Sequence, residues 1–355
     1  ITKRPVTVVG EGWNSDQPYT GKEYKTTDYT FNNVVSGQTA TIGYELKGTE
    51  VGSYTGTFDG DFKVVIDDSG ILGIGKEDVT ANYNLTTKTP GKLTIAKSEI
   101  VKYVSLTPEN VIKEYDGNTY TAGTATAVDA NGKDVKVEYS VDGTNWTEDP
   151  AEITATNVAD SVKVQVRASV EGTYEGYVTG TQELTINQRE VTVTGEGWNS
   201  DQPYTGKEYK TTDYTFNNVV SGQTATIGYE LKGTEVGSYT GIFGNDFKVM
   251  SGETDVTANY NLTTKTPGKL TIAKSEIVKY VSLTPENVIK EYDGNTYTAG
   301  TATAVDANGK DVKVEYSVDG TNWTEDPAEI TATNVADSVK VQVRASVEGT
   351  YEGYV

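Results

Sequence analysis

The chain of 355 residues carries 51 acidic and 30 basic side chains, for a formal net charge of −21, and it contains no cysteine and no histidine. Without these two residue types, disulfide frameworks, catalytic triads built on histidine, iron–sulfur clusters and ordinary zinc sites are excluded. The negative charge argues against binding to nucleic acid or to anionic membranes, because both depend on Lys and Arg.

Taken in chain order, the predicted elements are strands. Apolar and polar residues alternate with period 2 through residues 6–10, 40–46, 134–140 and 161–170, and no apolar stripe has the 3.6-residue period of a helix. In the last segment the residues expected to share one face are Val162, Val164, Val166 and Ala168. Turn dipeptides such as Asn131-Gly132 separate the strands.

This pattern predicts an all-β chain, organised as a tandem array of small antiparallel, immunoglobulin-like β-sandwich modules that form an elongated rod. The 24 Tyr against 6 Phe favour half-exposed strands, where a side chain packs on one side and meets water on the other. An elongated single-layer sheet and a β-grasp-like module have similar periodicity, and both stay open as alternatives.

Most of the chain is a duplication. Residues 6–25 return almost unchanged as 191–210, and residues 79–178 return without a substitution as 256–355. Between these segments the second copy is eight residues shorter than the first. Near-identity at so long a period is typical of a modular array.

Each copy divides again, because two different segments, at residues 90–100 and 180–190, each contain a Leu-Thr-Ile that closes a module. We therefore predict four modules with short joints, named A1 (1–96), B1 (97–188), A2 (189–273) and B2 (274–355). The segment 179–186 that completes B1 has no counterpart in B2, so B2 is expected to lack its final strand and to expose an unpaired edge. Residues 1–4 align with 186–189, which suggests a piece of a longer array.

Four segments carry a resemblance to a known family: EYDGNTY at 114–120, VEYSVDGTNWTEDP at 137–150, the strand pair at 162–186 and VTANYNLTTKTPGKLTI at 79–95. They resemble the MBG and YDG-type repeats of bacterial surface proteins. The A module departs from that pattern, with Tyr19-Thr20-Gly21 where Tyr-Asp-Gly is expected. The resemblance implies a repeat unit in the stalk of a large secreted or wall-attached bacterial adhesin.

One candidate binding site is an aromatic platform for sugar rings, repeated in both copies; its residues are Trp13, Tyr19, Tyr24, Trp198, Tyr204 and Tyr209. The alternative is that Trp13 caps the end of a sandwich or packs at the joint with the preceding module, since aromatic side chains serve first as large buried anchors. Trp146 and Trp323 follow hairpin turns, and we expect them to fold over their own strands.

A candidate calcium loop is the DANGKD segment, where Asp129, Asn131 and Asp134 alternate as oxygen ligands do. It lacks the closing Glu of an EF-hand, so a solvated hairpin turn is the favoured interpretation, and no cofactor is expected apart from calcium at module joints. A second acidic cluster consists of Asp59, Asp61, Asp67 and Asp68. A Lys–Asn isopeptide crosslink is a further alternative, with Lys92, Asn82 and Asn84 near strand ends.

We expect no enzyme, because modules of about 90 residues leave little room for a deep catalytic cleft. The favoured function is a monomeric spacer that holds a distal binding domain away from the cell surface, with neighbouring repeats as its partners. The first alternative is weak, multivalent binding of host glycan or protein by the repeats themselves. The second is a filament subunit, in which the edge of B2 accepts a strand from another chain.

Overall fold

The protein is described here from a computed structural model that covers residues 1–66 and 76–355. Asp67 and Asp68 of the second acidic cluster therefore lie outside the described residues. The chain divides into two compact units, unit 1 (Ile1–Asn187) and unit 2 (Gln188–Val355). Strands and short 3-10 helices are the only regular elements of the described segments, which confirms the all-β prediction.

Unit 1 contains the strands β1 (Arg4–Gly10), β2 (Gln17–Pro18), β3 (Tyr24–Thr26), β4 (Tyr29–Asn32), β5 (Gln38–Gly48), β6 (Gly52–Thr55), β7 (Thr57–Ile66), β8 (Glu77–Asp78), β9 (Tyr83–Thr89), β10 (Lys92–Ala96), β11 (Ser98–Glu99), β12 (Val104–Thr107), β13 (Val111–Glu114), β14 (Tyr120–Thr121), β15 (Thr126–Asp129), β16 (Lys136–Ser140), β17 (Thr154–Ala155), β18 (Val162–Ser169), β19 (Tyr174–Glu175) and β20 (Val178–Asn187). Its 3-10 helices are Thr80–Asn82, Ile100–Lys102, Pro150–Glu152 and Val158–Asp160.

Unit 2 contains the strands β21 (Arg189–Gly195), β22 (Gln202–Pro203), β23 (Tyr209–Thr211), β24 (Tyr214–Asn217), β25 (Thr224–Thr226), β26 (Tyr229–Gly233), β27 (Gly237–Thr240), β28 (Ile242–Phe243), β29 (Lys248–Ser251), β30 (Thr254–Asp255), β31 (Tyr260–Thr266), β32 (Lys269–Ala273), β33 (Ser275–Glu276), β34 (Val281–Thr284), β35 (Tyr297–Thr298), β36 (Thr303–Asp306), β37 (Lys313–Ser317), β38 (Thr331–Ala332), β39 (Gln342–Ser346) and β40 (Tyr351–Glu352). Its 3-10 helices are Thr257–Asn259, Ile277–Lys279, Pro327–Glu329 and Val335–Asp337.

The A1 range is built from three sheets, with strand orders β4-β1-β9, β2-β10-β6 and β3-β5-β7-β8. The β1/β9 sheet faces β7, because Val6 and Val64 are fully buried in one cluster with Tyr83. Leu46 of β5 is likewise buried with Leu93 of β10. Two layers thus enclose the A1 core, as in a sandwich.

The B1 range has a four-stranded sheet of order β13-β20-β18-β16, with the pairs β12-β15 and β14-β17 beside it. Its inner face carries Val164 and Val166, which are buried with Tyr139 and with Ala122 and Ala125 of the opposing layer. The period-2 alternation of residues 161–170 thus correctly indicated which side chains of β18 point inward.

The sequence analysis predicted antiparallel sheets, but some strand pairs are parallel. In A1, β1 runs parallel to β9 and β2 runs parallel to β10; in B1, β13 runs parallel to β20. The prediction of direction was wrong at these pairs because period-2 alternation is the same in parallel and antiparallel strands. Since the opening and closing strands of a range run the same way, the chain enters a range at one end and leaves it at the other.

All strand pairings of the described residues join two strands of the same predicted range. The buried side chains, in contrast, do not separate into an A set and a B set. In each unit one buried cluster takes residues from both the A and the B range, for example Leu93 with Ala168 in unit 1 and Leu270 with Ala345 in unit 2. This shared core is why each A–B pair is a single compact unit.

Candidate functional site

Side chains of A1 and B1 come together where the two ranges meet, and we call this region the A–B joint. Its buried core is formed by Tyr19, Tyr44, Leu46, Leu93, Ile95, Ile100, Val104, Ala168, Val170 and Tyr174. The link between the ranges is a single residue long, because β10 ends at Ala96 and β11 begins at Ser98. A link so short leaves little freedom for the two ranges to separate.

Three tyrosine rings meet in the A–B joint. Tyr19, from the A1 range, lies edge-on to Tyr174 of B1, with ring centroids 5.6 Å apart. Tyr103 stacks on Tyr174, with centroids 5.3 Å apart and an interplanar angle of 11°. Tyr19 and Tyr174 are 1% and 5% exposed. Aromatic pairs in these geometries stabilise beyond the area they bury, so Tyr174 ties its own range to A1.

The hydroxyl group of Tyr174 is held by a polar network within B1. It donates to Asp129 Oδ1 at 2.7 Å, and it accepts from Asn131 Nδ2 at 3.0 Å. The other carboxylate oxygen of Asp129 accepts the backbone N–H groups of Asn131 and Lys133. Burial, reinforced by the hydrogen bond to Asp129, raises the pKa of Tyr174 well above its ordinary value.

Further contacts cross the A–B joint at its rim. The Lys133 ammonium of B1 binds both carboxylate oxygens of Glu50 in A1, at 2.9 and 2.8 Å, and lies 5.6 Å from the Tyr19 ring centroid. The hydrogen bond to Glu50 raises the pKa of Lys133. Ser98 Oγ donates to the Tyr19 carbonyl oxygen at 2.7 Å. The two ranges are therefore held by charge and hydrogen bonds as well as by apolar burial.

Gly21 of A1 packs closely against the Asn131 side chain of B1. Its φ is +71°, and a Cβ atom there would lie 2.3 Å from Asn131 Oδ1. Glycine is required at this position for both reasons: the left-handed conformation, and the space that the Asn131 side chain fills. The Tyr-Thr-Gly that departs from the resemblance thus lies in the A–B joint.

Unit 2 repeats the A–B joint with the same geometry. Tyr351 OH donates to Asp306 Oδ1 at 2.7 Å, and Lys310 Nζ binds the carboxylate of Glu235 at 2.7 Å. Tyr280 stacks on Tyr351 with centroids 5.3 Å apart. The joint is a property of every A–B pair in the chain.

Of the predicted aromatic platform, Tyr19 and its counterpart Tyr204 are each 1% exposed, inside the joint cores, where no sugar ring can stack on them. Trp13 and Tyr24 are half-buried, 6.0 Å apart edge to face, and pack against the core of the A–B joint. Trp198 and Tyr209 repeat that pair at 5.9 Å. The alternative considered for Trp13 was the joint with the preceding module, whereas the core that it packs against is shared with the following range, B1. A binding role for the half-buried pairs stays a prediction.

The DANGKD segment differs from the expected solvated turn. Asp129 is only 6% exposed, because Tyr174 covers it and donates to it, while Asp134 is exposed. Within residues 1–66 and 76–355, no three or more acidic side chains are grouped as a metal ion would require. The crosslink candidates Lys92, Asn82 and Asn84 are all exposed, whereas the isopeptide hypothesis requires a buried acid beside the reacting pair.

An exposed face of B1 carries a second aromatic arrangement. The Arg167 guanidinium lies between Trp146 and Tyr177, 4.0 and 4.5 Å from their ring centroids, and binds Glu138 at 2.8 Å. Tyr177 is 48% exposed. Trp146 folds over its own strands, as expected after a hairpin turn. Trp323, Arg344 and Tyr354 repeat the arrangement in unit 2.

The raised pKa values of Tyr174 and Tyr351 predict sensitivity to alkali. A folded-state pKa above the unfolded value gives stability that is present below about pH 10 and is lost as the pH rises further, by up to about 1.4 kcal/mol per pH unit for each tyrosine. Denaturant unfolding at a series of pH values measures this slope. The paired variant Tyr174→Phe and Tyr351→Phe should show a shallower loss, and an unchanged slope would contradict the assignment.

No helix in the described part of the chain is both long and apolar enough to cross a membrane.

Comparison with protein families finds no matching family, and none of the curated proteins matches the chain. Among solved structures it is similar to extracellular domains 3-5 of Drosophila OTK, with 10% identity and a TM-score of 0.20, over 73% of this chain and 97% of that one. It is similar to Drosophila N-cadherin EC1-4, with 7% identity and a TM-score of 0.22, over 77% and 76% of the chains. It is also similar to a complex of Dpr2 Ig1-Ig2 with DIP-Theta Ig1-Ig3, with 11% identity and a TM-score of 0.22, over 75% of this chain and 98% of that one. TM-scores this low carry no argument, so the fold class stands on the strand pairings above.

Proposed function

We propose that this chain is a structural spacer, the stalk repeat region of a large extracellular bacterial surface protein, which holds a distal binding domain away from the cell. The observation that carries the proposal is the A–B joint, repeated in both units. Because the ranges share a buried core and are linked by the Lys133–Glu50 pair, an A–B pair behaves as one stiff link. A spacer requires such links, and it requires no catalytic centre.

Two further features support the proposal. The opening and closing strands of the A1 range are parallel, so the chain passes through from one end to the other, as a head-to-tail array requires. The net charge of −21 is spread over both copies, and like charges on successive links favour a solvated, extended chain. The resemblance of residues 114–186 to MBG and YDG-type repeats is the reason for placing the spacer on a bacterial surface.

Small-angle X-ray scattering of the full chain tests the spacer role. We expect an elongated particle whose maximum dimension does not change with added calcium. A variant in which Tyr174 and Tyr351 are both alanine should scatter as a more flexible chain, while the Tyr177→Ala and Tyr354→Ala control keeps the original profile. A compact particle, or one as flexible as the joint variant, would contradict the proposal.

A second candidate function is weak, multivalent binding of glycan or host protein by the repeats. The Trp146–Arg167–Tyr177 face favours it, because an exposed tyrosine and a guanidinium occur together and recur in unit 2. Glycan-array and host-cell binding of the full chain distinguish the two functions. Saturable binding that Tyr177→Ala with Tyr354→Ala abolishes would favour this candidate over a pure spacer.

A further inference from the structure

The chain contains two Asn-Gly dipeptides, Asn131-Gly132 and Asn308-Gly309, and one lies in each A–B joint. This dipeptide is the one most prone to deamidation, because glycine has no side chain to obstruct attack by its backbone nitrogen on the preceding amide. The sequence analysis treated the first of them only as a turn. Its place in the joint gives its chemistry a structural consequence.

Deamidation begins when the backbone nitrogen of Gly132, having lost its proton to base, attacks Cγ of Asn131. A C–N bond forms, the side-chain nitrogen takes up a proton and leaves as ammonia, and a cyclic succinimide joins the two residues. Water then opens the succinimide at either carbonyl carbon, which yields aspartate or isoaspartate. The net reaction consumes one water and releases one ammonia, so it is neither an oxidation nor a reduction.

The folded A–B joint engages both reacting groups. Asn131 Nδ2 donates to the Tyr174 hydroxyl oxygen at 3.0 Å, and the Asn131 side chain packs against Gly21. The Gly132 N–H donates to the Asp129 carbonyl oxygen at 3.1 Å. Cyclisation therefore requires the amide to leave Tyr174 and the turn hydrogen bond to break. Gly132 itself is exposed, so water and base reach the dipeptide once its side chain is released.

Unit 2 engages the second dipeptide in the same way. Asn308 Nδ2 donates to the Tyr351 hydroxyl oxygen at 2.9 Å, and the Gly309 N–H donates to the Asp306 carbonyl oxygen at 3.1 Å. The Asn308 side chain packs against Gly206. Both copies of the reactive dipeptide are thus held by the contacts that form the joint.

Either product disturbs the A–B joint. Aspartate at position 131 has no N–H to donate to Tyr174, and it places a second carboxylate close to that of Asp129, which is 6% exposed. Two like charges repel most strongly where water is excluded. Isoaspartate carries the main chain through the former side chain and lengthens the turn, which displaces the Lys133 N–H that donates to Asp129.

We propose that Asn131 and Asn308 are deamidation sites that the closed A–B joint protects, and that their modification after the joint opens weakens the joint irreversibly. Each opening of a joint exposes its dipeptide to the reaction, and the product makes the next opening easier. This inference concerns the chemistry of the joint and not the length of the chain, so it can fail while the spacer role stands. Its readout is chemical, whereas the spacer role is tested by scattering.

Peptide mapping by mass spectrometry measures deamidation at Asn131 and Asn308 during incubation in neutral buffer. The folded full chain should react about tenfold or more slowly than the same chain in denaturant, because reaction proceeds only from opened molecules. The denatured chain with Gly132→Ala and Gly309→Ala is the chemical control, and its reaction should nearly cease. Equal rates in the folded and the denatured parent chain would overturn the proposal.

The paired variant Tyr174→Phe and Tyr351→Phe tests whether the joint provides the protection. It keeps the buried rings and removes the hydroxyl groups that hold the two amides, so the folded variant should deamidate about fivefold faster, the factor for one hydrogen bond. The matched control is Tyr177→Phe with Tyr354→Phe, which alters exposed hydroxyl groups outside the joint and should react as the parent does. Equal rates in the two variants would overturn the assignment of protection to the joint.

The paired variant Asn131→Asp and Asn308→Asp tests the consequence of modification. It should unfold at a lower denaturant concentration than the parent chain, since each joint gains a carboxylate close to a buried one. Asn14→Asp with Asn199→Asp adds the same charge at exposed positions and is the matched control. If both pairs unfolded at the same denaturant concentration, modification would not weaken the joint and that part of the proposal would be wrong.

Discussion

Replacing Tyr174 and Tyr351 by alanine lowers the free energy of unfolding of each A–B unit by about 3–5 kcal/mol, the range for a buried aromatic residue. Two losses combine at each site. In unit 1 the substitution removes the ring that stacks on Tyr103 and contacts Tyr19, which leaves a cavity. The buried Asp129 carboxylate also loses its hydroxyl donor. Denaturant unfolding followed by tyrosine and tryptophan fluorescence measures the change.

The matched control is Tyr177→Ala with Tyr354→Ala. These tyrosines are 48% and 55% exposed, so their loss should cost within about 1 kcal/mol per site. The paired variant Tyr174→Phe and Tyr351→Phe separates the two contributions, because it keeps the rings and removes only the hydroxyl groups, at about 1–3 kcal/mol per site. If alanine and phenylalanine variants lost the same stability, the rings would contribute nothing and the A–B joint would be held by other contacts.

The sequence predicted the local features of this fold well. Alternation in residues 161–170 identified Val164, Val166 and Ala168 as one buried face. This was possible because successive side chains of a strand point to opposite faces, so the pattern appears in consecutive residues. The all-β class followed from the same kind of evidence. Strand direction could not be predicted in this way, because pairing partners far apart in the chain leave no local signal. The parallel pairing of β1 with β9 is an example.

The A–B joint was hidden from sequence analysis for a related reason. Asp129 belongs to a Gly-containing turn segment that is typical of a solvated hairpin, and its burial depends on the hydroxyl donor of Tyr174, which is distant in sequence. Tyr19 was assigned to a surface platform because it lies between Trp13 and Tyr24 in the chain, yet its ring turns into the core. Duplication did not help, since both copies keep every member of the joint and no substitution shows which residues depend on one another.

One signal was present in the sequence. The predicted ranges A1 and B1 adjoin without a spacer, and Tyr103 follows soon after their boundary. A link that short forces two ranges into contact, and large aromatic side chains near it are natural candidates for the shared core. Combining link length with aromatic position would have favoured Tyr103 as a member of the joint, whereas Tyr19 lies far from the link in the chain.

Extending the chain beyond Val355 with the sequence of residues 179–188 should raise the free energy of unfolding of unit 2 by about 2–4 kcal/mol, of the order of burying one or two apolar side chains. Burial of the added Leu and Ile and the new strand hydrogen bonds favour the extended strand, and the loss of chain entropy opposes it. Denaturant unfolding measures the shift, and hydrogen exchange locates it in β39.

The matched control extension has aspartate in place of the added Leu and Ile, and it should give no gain. Equal gains from both extensions would mean that the edge of β39 does not discriminate by side chain, which contradicts its equivalence to the edge of β18 that β20 covers in B1.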